Sequence, residues 1–179
     1  MPGIIIPALL LIVGGAAITA AGQAPPRTPD IHYTPTRHEV AEAMLDLARV
    51  TTDDVVYDLG SGDGRLPIIA AQKYGARGVG IEIDPKLVTI ARQNALDAGV
   101  ADRVTFIAGD LFAADLSAAT VVTLYLSASV NRRLEPKLKH QLRAGARVVS
   151  HQFLIGNWPP DQTIRPDYSD VFLWRIRPR

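Results

Sequence analysis

Past residue 32 the chain alternates short apolar runs with longer stretches whose apolar residues recur every three or four positions. The first pattern predicts buried strands and the second predicts helices with one buried face. Strands are expected at 55–59, 78–83, 104–108, 120–126 and 146–153. Helical patterns fall between them, at 66–73 and 85–97, followed by a stripe of Leu134, Leu138 and Leu142. Pro136 inside that stripe implies a fresh helix start or a kink. An earlier helix has Val40, Met44, Leu45, Leu47 and Ala48 on one face, with Thr36 as its expected N-cap and Glu39 as the reciprocal partner. Pro85 suits the first turn of the 85–97 helix, whose expected buried face is Leu87, Ile90, Ala91 and Ala95. Two last short strands, 162–165 and 171–177, read as an antiparallel pair. Strand–helix alternation of this kind predicts an α/β fold: a Rossmann-like, mostly parallel seven-stranded sheet with a reversed edge strand and helices on both faces.

The N-terminal pattern differs. Residues 4–21 hold no charged residue, and as a helix they would be about 27 Å long, close to a bilayer core. Arg27 and Arg37 follow this stretch and no Lys or Arg precedes it, which favours a membrane anchor with the domain facing the cytoplasm over the alternative, a cleaved signal peptide. Residues 24–31 are Pro-rich and read as a stiff spacer. The expected organisation is therefore a hydrophobic segment at 1–23, a linker at 24–31 and one domain at 32–179.

Composition narrows the chemistry. The 179 residues carry 19 Lys and Arg against 18 Asp and Glu, a formal charge of +1, which offers no field on the scale that nucleic acid needs. Arg132, Arg133, Lys137, Lys139 and Arg143 cluster, and they read as a solvated face. With no cysteine there is no disulfide, thiolate zinc site or cysteine nucleophile. His32, His38 and His140 show no ligand spacing, so no metal site is expected, and His151, inside a predicted buried strand, reads as a satisfied core histidine.

The informative stretch is Val55-Val56-Tyr57-Asp58-Leu59-Gly60-Ser61-Gly62-Asp63-Gly64-Arg65. A buried strand runs into a glycine-rich turn and then a helix start, where free N–H groups and bare backbone admit a ligand closely. Leu66 stands where the dinucleotide fingerprint requires its last glycine. Asp58 and Asp63 flank the turn, and their charge would repel a pyrophosphate but suit a ligand with cations, such as the ammonium and sulfonium of S-adenosylmethionine. Glu82 lies about 20 residues further on at a strand end, where an acid can accept hydrogen bonds from two ribose hydroxyls.

The turn resembles motif I of the class I S-adenosylmethionine-dependent methyltransferases. Tyr33-Thr34-Pro35-Thr36, Glu82, Asp110, Leu124-Tyr125-Leu126, Ser150-His151-Gln152-Phe153 and Asn157-Trp158 extend the resemblance to one group within them. That group comprises the bacterial and mitochondrial relatives of the lysine methyltransferases acting on the ATP synthase c-subunit and the adenine nucleotide translocator. The resemblance runs from Tyr33 to the carboxyl terminus and departs at Ser127-Ala128-Ser129, where bulkier residues are expected. It implies the class I methyltransferase fold, S-adenosylmethionine as donor and S-adenosylhomocysteine as product. Asp58, Gly60, Ser61, Gly62, Gly64, Glu82, Asp110 and Leu111 are then the cofactor-binding positions, with Asp110 accepting from the adenine amino group and Leu111 against the ring. It also implies a protein lysine acceptor, commonly in a membrane protein. A small-molecule or O-methyltransferase, or a non-catalytic cofactor-binding module, would share these features. Tyr33, Tyr125 and Ser127 are the candidates to line the acceptor channel, their alternative being rim or core packing. No general base is required, because an apolar pocket lowers an amine's pKa by disfavouring its charged form.

Overall fold

A computed structural model describes residues 33–178. The elements, in chain order, are α1 (His38–Leu47), β1 (Val55–Leu59), α2 (Arg65–Tyr74), β2 (Arg77–Glu82), α3 (Pro85–Asp97), β3 (Val104–Ala108), β4 (Val121–Leu124), α4 (Ala128–Gln141), β5 (Arg147–His151), β6 (Gln162–Ile164), a 3-10 turn (Pro166–Tyr168) and β7 (Val171–Arg175). They form one seven-stranded sheet in the order β3-β2-β1-β4-β5-β7-β6. Strands β1 to β5 are mutually parallel, and the reversal comes at β7, which pairs antiparallel with both β5 and β6.

Alternation along the strands explains the layering. Val149 and Leu173 face a core shared with Val40, Met44 and Leu45 of α1 and Leu66, Ile69 and Ala70 of α2. Their neighbours Val148 and Trp174 face the opposite core, with Val130, Leu134 and Leu138 of α4. A third cluster joins α2, α3 and β3 through Ile68, Val88, Ala91 and Phe106. Both faces of β4 are covered, so its side chains are all buried, as an unbroken apolar run requires.

Three local expectations are corrected. Helix α1 begins at His38 with Arg37 at the cap and no side-chain cap bond. Thr36 is buried and its hydroxyl meets His151 instead. On α3 the buried stripe is Val88, Ala91 and Ala95, while Ile90 is exposed. Two alanines on that stripe let the helix sit close to the sheet, and this sets its rotation. Helix α4 runs unbroken through Pro136. Proline removes one N–H from a helix interior, and here tertiary packing of Leu134 and Leu138 outweighs that loss.

The membrane-anchored localisation expected from the sequence is also corrected: among the described residues no helix is long and apolar enough to cross a membrane. The expected span at 4–21, its signal-peptide alternative and the linker at 24–31 lie outside the described residues.

Candidate active site

The carboxyl ends of β1, β2 and β4 converge at the switch point of the sheet, where β1 lies between β2 and β4. Open α/β sheets place their ligands there. The β1–α2 turn runs over these ends with Gly60, Gly62 and Gly64 all at positive φ (80°, 53° and 82°). A Cβ on Gly60 would sit 2.7 Å from Leu126 Cδ2, and one on Gly62 would run into the Tyr33 ring. Gly60 and Gly62 therefore have no room for a side chain.

Two carboxylates stand under it. Asp58 is 4% exposed and its Oδ1 accepts from Thr123 Oγ1 at 2.7 Å. Burial pushes its carboxyl up to about 7; the Thr123 bond works against this, and the charges of Glu82 and Asp63 add to it. Glu82 is 8% exposed, with Oε2 accepting from Gly62 N and Oε1 from Asp84 N, both at 2.9 Å. Each Glu82 oxygen retains a second lone-pair direction for a hydroxyl donor. A buried pair of acids, beside a cradle that a single Cβ would fill, fits a cationic ligand with a ribose.

Asp63 is paired rather than free. Its carboxylate is paired with Arg65, with Nη2 to Oδ2 at 2.6 Å and Nε to Oδ1 at 3.0 Å. Burial alone would raise Asp63, but the Arg65 guanidinium outweighs it and holds the carboxyl below its usual range. Arg65 also donates from Nη1 to the Thr36 carbonyl at 2.6 Å, tying the segment 33–37 to the glycine turn. Ser61 turns its hydroxyl down against Gly80, where it is buried and finds no partner among the described residues.

Asp110 lies two residues past β3, and its Oδ1 accepts from Phe112 N at 2.8 Å, the turn-residue geometry. Leu111 is half-buried and packs with Phe112 against the α4 core. Tyr33 has its ring on Gly62; burial, then the Asp63 charge, raises its hydroxyl pKa. Tyr125 stacks on His151 with ring centroids 3.9 Å apart, and on Phe153 at 6.5 Å. Ser127 is the α4 N-cap, its Oγ accepting from Val130 N at 3.3 Å and lying 3.1 Å from Ser129 Oγ. The three acceptor-channel candidates thus fall on one end of the sheet, but the Ser127 hydroxyl is engaged in capping.

Sequence patterns missed Thr123 and the Asp63–Arg65 pairing, and read Thr36 only as a helix cap and His151 only as a core histidine. The register pairs Asp58 with Thr123, so a polar residue inside the Val121–Leu124 run was the available signal. Removing that hydroxyl in Thr123→Val is expected to lower donor affinity about three- to tenfold at neutral pH, the worth of one ordinary hydrogen bond, as read by calorimetric titration.

Residues 58–162 match the family model described as the ANTKMT methyltransferase domain. A protein-lysine N-methyltransferase of Saccharolobus islandicus is 44% identical over 144 residues, 80% of this chain and 89% of that protein. The Mus musculus lysine N-methyltransferase named for the ATP synthase c-subunit is 34% identical, over 91% of this chain and 68% of its own. Among solved structures, one described as an RNA methyltransferase from Salinibacter ruber in complex with S-adenosyl-L-homocysteine is 57% identical. It superposes with a TM-score of 0.80, over 82% of this chain and 95% of that one. A Rossmann-like sheet, a glycine turn beside buried acids, and these matches together place the chain in the ANTKMT methyltransferase family, as an S-adenosylmethionine-dependent methyltransferase.

Proposed function

We propose that the protein is a protein-lysine N-methyltransferase, with Asp58, Gly60, Gly62, Glu82, Asp110 and Leu111 forming the donor site and Tyr33 and Tyr125 the mouth for the lysine. The observation that carries this reading is the buried pair Asp58 and Glu82 beside the glycine turn, with Glu82 already bonded to the Gly62 N–H. When bound, the donor supplies a methyl carbon already activated by its sulfonium. The protein's part is to position and desolvate. Asp58 offers charge to an ammonium, Glu82 offers acceptors to ribose hydroxyls, and Asp110 and Leu111 offer a polar edge and an apolar face to a base. Gly64 and Ser61 shape the turn rather than touch the ligand. On the acceptor side, the aromatic rings of Tyr33 and Tyr125 present apolar surface that favours a neutral amine, and the proton shed by the amine passes to solvent.

A narrower acceptor, a lysine in a membrane-associated protein, follows from the resemblance to enzymes acting on the ATP synthase c-subunit. An RNA acceptor is the second reading, raised by the name of the Salinibacter ruber structure. The formal charge of +1 argues for protein over RNA. Incubating the protein with methyl-labelled S-adenosylmethionine and an extract of cells lacking it decides between them. Protease-sensitive label recovered as methyl-lysine is expected. Label removed only by ribonuclease moves the assignment to RNA, label in small molecules moves it to metabolites, and absence of label leaves a binding module.

The burial of Asp58 gives a pH signature. Its folded-state pKa is raised, so its contribution to stability is complete below about 4 and is lost as pH rises through about 7. A cationic donor favours the ionised carboxylate and recovers that loss. The rise in Tm on saturating with S-adenosylmethionine is therefore expected to be larger at pH 8 than at pH 5.5, and Asp58→Asn is expected to abolish the difference.

A further inference from the structure

The sequence marks His151 as a core histidine with its hydrogen bonds met, and the structure differs. His151 ends β5 at the carboxyl edge of the sheet and is 5% exposed, yet its Nε2 finds no hydrogen-bond partner among the described residues. Its Nδ1 lies 3.5 Å from Thr36 Oγ1, a long contact that joins residues 115 apart in the chain. Its ring lies against Tyr125. Thr36 belongs to the segment 33–37, which Arg65 ties to the glycine turn through the Thr36 carbonyl and which Arg37 ties to Asp167 by an ion pair. Tyr33 opens that segment, with its ring on Gly62. One imidazole therefore touches both walls of the acceptor mouth: Tyr125 directly, and Tyr33 through the strap.

We infer that His151 is a positioning residue for the acceptor channel, fixing the 33–37 strap to the Tyr125 wall. This rests on the reading of Tyr33 and Tyr125 as the channel mouth. The tautomer follows from the partners. A buried acceptor nitrogen without a partner is tolerated better than a buried N–H without one. So Nδ1 carries the proton and donates to Thr36 Oγ1, and Nε2 keeps its lone pair. Burial first, then the Arg37 charge, lowers the imidazole pKa to about 4, so the ring is neutral where the enzyme works. A neutral ring packs against Tyr125 without competing as a cation for the incoming lysine. Asn131 supports this corner from below, donating from Nδ2 to Ser150 Oγ at 3.0 Å and to the Phe153 carbonyl at 3.1 Å, which holds the chain on either side of His151.

The test uses the full chain with S-adenosylhomocysteine bound. Imidazole 15N NMR at neutral pH is expected to show His151 as the Nδ1–H tautomer; an Nε2–H tautomer overturns the inference. His151→Phe keeps a ring against Tyr125 but removes the bond to Thr36, Thr36→Val removes the same bond from the other side, and His151→Asn places an amide donor near the Nδ1 position. Amide exchange of Thr34, Thr36 and Arg37 is expected to quicken about five- to tenfold in His151→Phe and in Thr36→Val, no further in the double variant, and to recover in His151→Asn. The apparent KM for extract protein is expected to rise by the same factor, with kcat and S-adenosylhomocysteine affinity changed less than about twofold. Effects of the two substitutions that multiply, or a loss of S-adenosylhomocysteine affinity equal to the loss in labelling, overturn it. If the wild-type chain labels no protein, the lysine reading fails, while the tautomer and exchange measurements still decide the role of His151.

Discussion

Glu82→Ala is expected to weaken S-adenosylhomocysteine binding between about 100- and 1000-fold in calorimetric titration. Both carboxylate oxygens are already at work in the free protein, one holding the Gly62 N–H and the other the Asp84 N–H. Removing them frees the glycine turn and the start of α3 together, and also removes the acceptors proposed for the ribose. Charge-assisted bonds of this kind are each worth about 1.5–3 kcal/mol, so losing two near the low end of that worth accounts for the range. Glu82→Gln keeps one carbonyl acceptor and turns an amide toward the other N–H, and it is expected to fall between wild type and alanine. An affinity within threefold of wild type in both variants would remove Glu82 from the donor site.

The largest expected effect on folding comes from Gly64→Ala. Gly64 caps α2 with φ of +82°, a conformation that costs a residue with a Cβ about 1–2 kcal/mol. The added methyl would lie 2.5 Å from Phe106 Cζ and 2.9 Å from Ala91 Cβ. Neither neighbour can retreat, since Phe106 is 3% exposed and Ala91 is fully buried between α3 and the sheet. Overpacking of that kind adds about 1–3 kcal/mol. At about 2–4 °C per kcal/mol for a chain of this size, Tm is expected to drop by roughly 4–20 °C. Gly99→Ala is the control, because Gly99 has φ of +69° but nothing within 4 Å of an added Cβ. Its Tm is expected to drop by no more than the backbone cost. Equal losses at the two positions would mean that close packing at Gly64 decides nothing.

The legible part of this molecule is its periodic part. Unbroken apolar runs bounded by turns place β1, β4 and β5 to within two residues, because a strand buried on both faces admits few polar residues. The acids at the ends of β1 and β2 stand out for the same reason: a carboxylate closing an apolar run is costly unless something meets it. Relations between distant residues were not legible. Thr36 and Glu39 have capping-box spacing, but Thr36 finds His151 across the fold, and no local pattern encodes that contact. Asp63 reads as free charge until its pairing with Arg65 is seen. Ile90 and Val88 suit a helix face equally, and the choice between them is made by how closely Ala91 and Ala95 approach the sheet. Pro136 shows local propensity yielding to packing, since the helix around it is fixed by leucines on its buried side.

The measurement that bears most directly on all of this is a crystal structure of the protein with S-adenosylhomocysteine. The ribose is expected within hydrogen-bonding distance of Glu82, with the amino-acid end of the ligand beside Asp58 and the Gly60–Gly62 backbone. A ligand seated away from the β1 and β2 carboxyl ends, with Glu82 still bonded only to Gly62 and Asp84, would contradict it.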